Sequence, residues 1–291
     1  MSAGATQASA GQPGGRRPRA APRNQPPPHA VGRSRVRRLH LDGLAQVDHT
    51  HPHQEWVPHW HAEWSVGAAV RGGCHCSIGG QAVEIHPGDL VLIPPQVVHT
   101  GAVRDSASAG PVHMVMLYVP TERLAPWALP SPQQGGVLSA PALARRAGDV
   151  AHPGDVLGWL RDALAHWQTH RTQARWIVGQ PADNADQQGL AQVQQAVLDG
   201  TASVAALAAR CGVSRKWMHL QMTRWTGMSP SDYLRTARLH RARALLDEGV
   251  PASQVAADCG FADQAHFTRW FRRAFGYTPG DWVAAAREAT P

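Results

Sequence analysis

The sequence contains one lysine, Lys216, only 4 cysteines, and no uninterrupted apolar segment long enough to span a membrane. A spanning helix needs about 20 mostly apolar residues, and no apolar segment follows the first basic residues as a secretory signal requires. Four cysteines are also too few for a disulfide scaffold in a chain of 291 residues. We therefore expect a cytoplasmic protein without a membrane partner.

Positive charge is concentrated at the two ends of the chain and consists almost entirely of arginine. Residues 1–38 carry 8 arginines and no acid, residues 39–200 carry 8 basic and 14 acidic residues, and residues 201–291 carry 12 basic and 7 acidic residues. Basic ends favour a polyanionic partner such as nucleic acid, although a run of charge is more often only a solvated surface.

The length predicts two domains, and a segment of different composition precedes them. Residues 1–35 are rich in Gly, Pro, Ala and Arg and have few large apolar side chains, which predicts a disordered basic arm. The alternatives are an arm that touches DNA, a solvated tail, and a start codon assigned too early. The last two are favoured over DNA contact.

Residues 36–180 predict an antiparallel β-domain that ends in a helix. Short apolar runs separated by Gly and Pro occupy residues 39–120, and Gly79 with Gly80 fits the tight turn of a hairpin. A later stripe at helical spacing predicts a helix that packs on its own domain rather than on a second subunit. This stripe comprises Leu157, Leu160, Leu164 and Trp167. Polar residues 181–194 predict a linker.

The strongest signal is a degenerate repeat within residues 195–291. The segment from Leu207, LAARCGVSRKWMHLQMTRWTGMSPSDY, matches the segment from Val255, VAADCGFADQAHFTRWFRRAFGYTPGDW. In the first copy, helical apolar spacing is followed by Gly212 and then Ser214, which predicts a helix, a tight turn and a second, capped helix. The repeat therefore predicts two helix-turn-helix units, and YLRTARLHRARALLDEG predicts a helix that links them.

Polar side chains on the outer face of the second helix of each unit predict contact with DNA. Met218 and Met222 are expected inside the first unit, and Phe261, Phe267 and Phe271 inside the second. Outward Arg, Lys, Gln and His suit base edges and phosphates, and the duplication favours this role over a plain solvent face. The predicted DNA-binding residues are Ser214, Arg215, Lys216, Trp217, His219, Gln221, Arg224, Asp263, Gln264, His266, Arg269, Arg272 and Arg273.

The motifs RLHRARALL and VAADCGFADQAHFTRWFRRAFGYTP resemble the AraC/XylS family of bacterial transcription regulators, over about residues 195–287. The resemblance implies an α+β protein of two domains, a cupin-like antiparallel β-barrel followed by an all-α domain with two helix-turn-helix motifs joined by a linking helix. It also implies double-stranded DNA, a small-molecule effector and RNA polymerase as partners. A homodimer is one alternative for the oligomeric state.

The segments PHWHAEWSVGAAVRGG and IHPGDLVLIPPQVVHTG resemble the cupin-like sensor domains of the same family. Cupin enzymes carry His-x-His, a Glu three or four residues later, and a further His in a second motif, all of which bind one metal. His59, His61 and His99 match the three histidines, but Ser65 and Val66 occupy the positions expected for the Glu.

We expect His59, His61, Glu63 and His99 to line a pocket for a small organic effector, which is favoured over a metal because the Glu is missing. The inclusion of Glu63 depends on its sharing the period-two strand face of the two preceding histidines. Three other histidines precede the first clear strand and are expected in a solvent-facing or rim segment without a role in chemistry: His49, His51 and His53.

Three functions are compatible with the sequence. The favoured one is an effector-responsive, DNA-binding transcription regulator that is not an enzyme and uses no metal or cofactor. The second is a metal-dependent cupin enzyme fused to a DNA-binding domain. The third is a thiol or metal sensor that uses Cys74 and Cys76, which the period of a strand places on one face.

Overall fold

The structure, a computed structural model, describes Met1 and residues 33–39, 44–51, 54–103, 112–132, 134–150, 152–177 and 184–288. Most of the predicted basic arm and the prediction for His53 lie outside these residues, as does the side chain of His51.

The strands of the described residues form two antiparallel sheets. Their bounds are β1 Arg33–Arg38, β2 Ala45–His51, β3 Gln54–His59, β4 Trp64–Arg71, β5 Cys74–Ile78, β6 Gln81–Ile85, β7 Asp89–Ile93, β8 His99–Val103, β9 Val112–Val119, β10 Gly136–Ser139 and β11 Trp176–Ile177. One sheet has the order β1-β2-β9-β4-β7-β10-β11, and the other has the order β3-β8-β5-β6. The predicted antiparallel β-domain is confirmed, with the strands arranged as an open sandwich of two sheets rather than a closed ring.

The side chains of strand β9 show that the seven-stranded sheet is buried on both faces. Met116 and Tyr118 belong to a core that includes Ile78 of the second sheet. The alternating residues Leu117 and Val119 belong to a separate core on the other face. Because neighbouring side chains of a strand point to opposite faces, a nearly continuous apolar run is the pattern expected for a strand covered on both sides.

Two helices cover the outer face of the seven-stranded sheet, α1 Pro141–Ala147 and α2 Pro153–His170. The predicted stripe of α2 faces this core, where Leu160, Leu164 and Trp167 are fully buried and Leu157 is partly buried. Gly79 and Gly80 occupy the turn between β5 and β6 with φ of 58° and 79°. Such positive φ values at both central residues are those of the tight hairpin that the sequence predicted.

Seven helices follow in the described residues. They are α3 Asn184–Leu198, α4 Val204–Arg210, α5 Arg215–Thr226, α6 Pro230–Asp247, α7 Ala252–Asp258, α8 Gln264–Phe275 and α9 Pro279–Glu288. None of the helices in the described part of the chain is both long enough and apolar enough to cross a membrane.

Helix pairs α4–α5 and α7–α8 form the two predicted helix-turn-helix units. Ser214 caps α5 by accepting a hydrogen bond from the Trp217 amide at 3.1 Å, and Asp263 caps α8 in the same way. Met218 and Phe267 are completely buried, as their positions in the repeat predicted. Helix α3 begins within residues 181–194, the predicted linker, and contributes Val193 to the core of the first unit.

Helices α6, α8 and α9 pack directly against the sheets. Helix α8 contacts β3, α9 contacts β1, and the linking helix α6 contacts β3. Their apolar side chains, Phe271 and Phe275 among them, belong to the same core as Met116 and Tyr118. The β-domain and the second unit therefore share one apolar core.

Candidate effector pocket and DNA-binding surface

His59 and His99 are direct partners across the β3–β8 ladder. Their ring centroids lie 4.4 Å apart, because directly opposed residues of neighbouring strands are held at about 4.5–5.5 Å between Cβ atoms. His61 lies two residues beyond the end of β3, and its ring is 5.2 Å from that of His99. One nitrogen from each of the three rings lies within 4.8 Å of the other two. The structure thus brings together the three histidines predicted to line the pocket.

The hydrogen bonds of these rings define which ring nitrogen is free to accept a hydrogen bond or bind a ligand. His59 donates from Nδ1 to the Val57 carbonyl at 2.8 Å, and His99 donates from Nδ1 to the Val97 carbonyl at 2.9 Å. In a neutral ring the other nitrogen, Nε2, then carries a lone pair. Nδ1 of His61 is buried and has no hydrogen-bond partner.

Burial keeps the histidines neutral. It lowers the pKa of His59 and His61 well below the ordinary value of 6.5, helped by the neighbouring rings. The pKa of His99 falls to about 4. His240 of α6 also has a pKa lowered to about 4, by burial and by Arg243, against an opposing effect of Glu63. At neutral pH the cluster is therefore a set of uncharged imidazoles.

These pKa shifts predict a loss of stability in mild acid. The unfolded chain binds protons at His99 and His240 below about pH 6.5, whereas the folded chain binds them only near pH 4. The free energy of unfolding should therefore fall as the pH drops through this window. The expected slope is about 1.4 kcal/mol per pH unit for each histidine. Urea midpoints followed by tryptophan fluorescence measure it. His240→Gln should give a shallower slope, whereas His219→Gln, at an exposed position, should match the parent; equal slopes in all three would contradict the assignment.

A cavity of about 80 Å³ opens beside the histidines, between the two sheets and the end of α8. His59 and His99 line it together with Cys74, Cys76 and Tyr118. The two thiols lie on one strand face, as predicted, with their sulfur atoms 3.3 Å apart. The hydrogen bond with Cys74, together with burial, raises the pKa of Cys76, so this thiol stays protonated.

The prediction that His49 lies on a solvent-facing rim is wrong. His49 is only 7% exposed. Its Nδ1 lies 2.9 Å from the hydroxyl oxygen of Ser34, and its ring meets Trp56 edge to face. The reason is that β2 pairs with β1 on one side and β9 on the other, so alternate side chains of this strand point into the protein.

Glu63 does not join the three histidines, because its carboxylate pairs with an arginine of the helical domain. Strand β3 ends at His59, so the period of two does not extend to Glu63. Its carboxylate instead pairs with Arg243 of α6. Burial alone would raise the pKa of Glu63, but Arg243 and His240 hold it below the usual value. A second contact joins the same loop to α6, because Nε2 of His240 donates a hydrogen bond to the Trp60 carbonyl at 2.8 Å.

Helix α5 presents most of its predicted DNA-binding side chains to solvent. Those of Arg215, Lys216 and His219 are exposed, Trp217 is 39% exposed, and Ser214 is used for the cap. Two other predicted DNA-binding residues of α5 are less accessible to DNA, one through an ion pair and one through partial burial. Arg224 pairs with Asp186 of α3, and Gln221 is only partly exposed.

Helix α8, like α5, presents basic and polar side chains to solvent. Gln264, Arg269 and Arg272 are exposed, and the guanidinium of Arg273 lies 5.1 Å from the Trp270 ring centre. Asp263 serves as the cap of this helix. His266 is turned back onto its own unit, where its Nε2 accepts a hydrogen bond from the Trp270 indole at 2.9 Å.

Sequence reasoning missed several residues at these sites. Leu220 is an apolar side chain of α5 that is 65% exposed. Phe275 lines the cavity from the helical domain, and His240 and Arg243 contact the loop of residues 60–63 beside it. An exposed leucine at an outward position was detectable from the helix period, whereas contacts between distant segments leave no local pattern.

Comparison with known proteins agrees with this arrangement. A family model described as an AraC-like ligand binding domain matches residues 43–175, and a model described as a helix-turn-helix domain matches residues 185–285. The transcriptional activator RhaS of Escherichia fergusonii is 40% identical over 88 residues, which are 29% of this chain and 31% of that protein. RhaS of Klebsiella pneumoniae is 41% identical over 86 residues, which are 28% and 30% of the two chains.

The match to these relatives spans less than a third of their length. The fold also resembles the crystal structure of an apo ToxT variant from Vibrio cholerae, with a TM-score of 0.54, 9% identity, and coverage of 85% of this chain and 99% of that chain. The two family models together span most of residues 43–285. The chain therefore belongs to the AraC family of transcriptional regulators, with an N-terminal ligand-binding domain followed by a helix-turn-helix DNA-binding domain.

Proposed function

We propose that this protein binds specific sites on double-stranded DNA through α5 and α8, and that a small effector in the pocket of His59, His61 and His99 changes this binding. The observation that carries the proposal is the pair of capped helix-turn-helix units with exposed basic second helices, one of which packs on the pocket. RNA polymerase is the proposed partner at the promoter, by analogy with relatives named as activators. The buried α2 stripe implies that a homodimer would use a different surface.

The loop of residues 60–63 supports a route from the pocket to the DNA-binding helices. It carries His61 into the cluster, offers the Trp60 carbonyl to His240, and places Glu63 against Arg243. The far side of the loop is also fixed, because the Gln96 amide donates to the His61 carbonyl at 2.8 Å. A ligand that repositions His61 would shift both links to α6.

An enzymatic role receives less support. A metal-dependent cupin enzyme is expected to supply a carboxylate beside its histidines. Here Ser65 stands where that residue is expected, and Glu63 is committed to Arg243.

The proposed function predicts a bipartite footprint. Two recognition helices joined by one helix should occupy major-groove segments about one helical turn, or roughly 10 bp, apart. Arg215→Ala and Gln264→Ala should each relax the base preference of a different segment by about 1–3 kcal/mol. Mapping of genomic binding sites supplies the operator, and footprinting of the full chain on that operator measures the effect.

Two controls accompany this experiment. Arg272→Ala should weaken binding to all sequences to a similar extent, because phosphate contacts carry no sequence information. Arg161→Ala removes an exposed arginine of α2 and should leave the footprint unchanged. Altered preference at the same base pairs in both test variants would rule out the bipartite arrangement, and absence of any specific site would rule out the proposed function.

A further inference from the structure

We propose that the sulfur atoms of Cys74, Cys76 and Met114 bind one soft monovalent metal ion, Cu⁺. These residues are distinct from the three histidines to which the proposed function assigns an effector. The binding site itself does not depend on that function. Its effect on DNA binding does, and that effect is tested separately.

Strand β5 presents two thiols side by side. Cys74 and Cys76 share one face of the strand because side chains two positions apart point the same way, and their sulfur atoms lie 3.3 Å apart. The strand is held on both edges, since it pairs with β6 on one side and with β8 on the other. The spacing of the thiols is therefore fixed by the sheet.

A third sulfur atom comes from the opposite sheet. The Cys74 thiol donates a hydrogen bond to the thioether sulfur of Met114 on β9 at 3.6 Å. Cys74 and Met114 are 6% and 8% exposed, and both line the cavity of about 80 Å³ together with Cys76. The spacing of the cysteines along β5 predicted the pair of thiols, but only the packing of the two sheets adds the thioether.

The distances between the sulfur atoms suit one ion. With metal–sulfur bonds of about 2.3 Å, as in zinc–thiolate sites, a trigonal centre places its sulfur atoms about 4.0 Å apart. The observed distances of 3.3 Å and 3.6 Å are shorter, so the sulfur atoms would have to separate by less than about 1 Å. The unbranched methionine side chain adapts readily, and the adjoining cavity supplies the space.

The chemistry of the donors selects the class of ion. Thiolates and thioethers favour soft ions such as Cu⁺, whereas Mg²⁺ and Ca²⁺ take oxygen ligands. Zinc is usually held by four Cys, His, Asp or Glu side chains, and none of the described residues that line the cavity carries a carboxylate. Because the metal ligand is the thiolate, thiol protons pass to solvent as the ion binds, and no electron is transferred.

The strand geometry disfavours a disulfide between the same two cysteines. Positions two apart on a strand lie about 6.6–6.8 Å from Cα to Cα, at the upper end of the range of about 4.4–6.8 Å that disulfides span. A shorter separation would bend β5 away from its two partner strands. Cys74 and Cys76 are free thiols in the structure, and their geometry suits a shared ligand better than a bond to each other.

The position of the three sulfur atoms connects the ion to the DNA-binding domain. Ala274 and Phe275, at the end of α8, line the same cavity. Movement of the sulfur atoms around an ion would alter the packing of the wall that α8 forms. We therefore expect Cu⁺ to change operator affinity, an effect that rests on the proposed function.

The test uses the purified full chain, kept reduced and free of oxygen. Cu⁺ supplied as its complex with bicinchoninate, a coloured chelator, should pass to the protein until one ion is bound per chain. Cys74→Ala and Cys76→Ala should each weaken Cu⁺ binding by more than the roughly 10–100-fold that loss of an outer hydrogen bond costs. Met114→Leu should weaken it less, on the order of 10-fold, because a thioether is a weaker ligand than a thiolate.

Two matched controls should bind Cu⁺ as the parent does. Met116→Leu changes a methionine that lines the same cavity but whose sulfur lies against Gly67. Cys211→Ala removes a free cysteine at the end of α4. Copper X-ray absorption of the parent chain should show sulfur neighbours rather than imidazole nitrogens, which tests the ligands even if a variant fails to fold.

The outcomes separate the site from its effect. Substoichiometric binding, parent-like affinity in both cysteine variants, or imidazole neighbours in the X-ray spectrum would overturn the sulfur site. Saturating Cu⁺ should change operator affinity in the parent but not in Cys76→Ala. Stoichiometric binding with unchanged operator affinity would overturn the regulatory effect, whereas failure to bind DNA at all would overturn the proposed function and leave the sulfur site intact.

Discussion

Replacing Arg243 with alanine should lower the free energy of unfolding by about 3–5 kcal/mol, the cost of leaving one partner of a buried ion pair uncompensated. Arg243 is 8% exposed and pairs with Glu63, whose side chain is 12% exposed. Its guanidinium also lies 4.6 Å from the centre of the Trp282 ring. Without Arg243, the carboxylate must either remain charged in an apolar setting or take up a proton. Urea unfolding at neutral pH, followed by tryptophan fluorescence, measures the loss.

A matched control lies on the same helix. Arg241→Ala removes an exposed arginine and should cost less than about 1 kcal/mol. The double substitution Glu63→Leu with Arg243→Leu should recover much of the lost stability, because apolar side chains can replace a buried ion pair at little cost. If Arg243→Ala cost no more than Arg241→Ala, the pair would have to be solvated rather than buried.

Replacing Phe275 with alanine should also cost about 3–5 kcal/mol, the usual range for removing a fully buried phenylalanine. The side chain is 1% exposed. Its ring packs 4.8 Å from Phe271 and 5.4 Å from His240, and it forms part of the cavity wall. The substitution should therefore enlarge the cavity beside the histidines and loosen α8 from β3. Thermal and urea unfolding give the stability, and operator binding gives the functional effect.

The control for Phe275 keeps part of its volume. Phe275→Leu should destabilise less than Phe275→Ala, because the cost of such substitutions rises with the volume of the cavity that remains. An equal loss in both variants would point to the aromatic contacts with the histidine cluster as the main contribution. Wild-type stability in Phe275→Ala would mean that α8 does not close the pocket in solution.

Much of the fold was predictable because its signals are local. Two adjacent glycines specified the β5–β6 turn, and Ser214 specified the start of α5. The helical spacing of Met218 and Met222 identified the buried face of the first unit. Each of these features depends on residues only a few positions apart, so a short segment of the sequence is enough to predict it.

The pocket was only partly predictable because it depends on where strands end and on contacts between distant segments. The histidines at 59, 61 and 99 were found through motif resemblance, and β3–β8 pairing brings two of them together. The assignment of Glu63 assumed that β3 continues past His59, which it does not. Its partner Arg243 follows it by 180 positions. The helix period places Arg243 on the buried face of α6 with Leu239 and Leu246, but it does not identify a partner in a distant segment.

The linking helix α6 has a geometric consequence for the DNA. Its 18 residues correspond to a rod about 27 Å long. Leu234, near its beginning, is anchored in the core of the first unit, and Leu246, near its end, is anchored in the core shared with the sheets. A tilt of roughly 10° about one end would carry the other through about 5 Å, more than the ~3.4 Å step between base pairs. A rotation too small to break the hydrophobic contacts of α6 would thus be enough to move one recognition helix out of step with the bases that it reads.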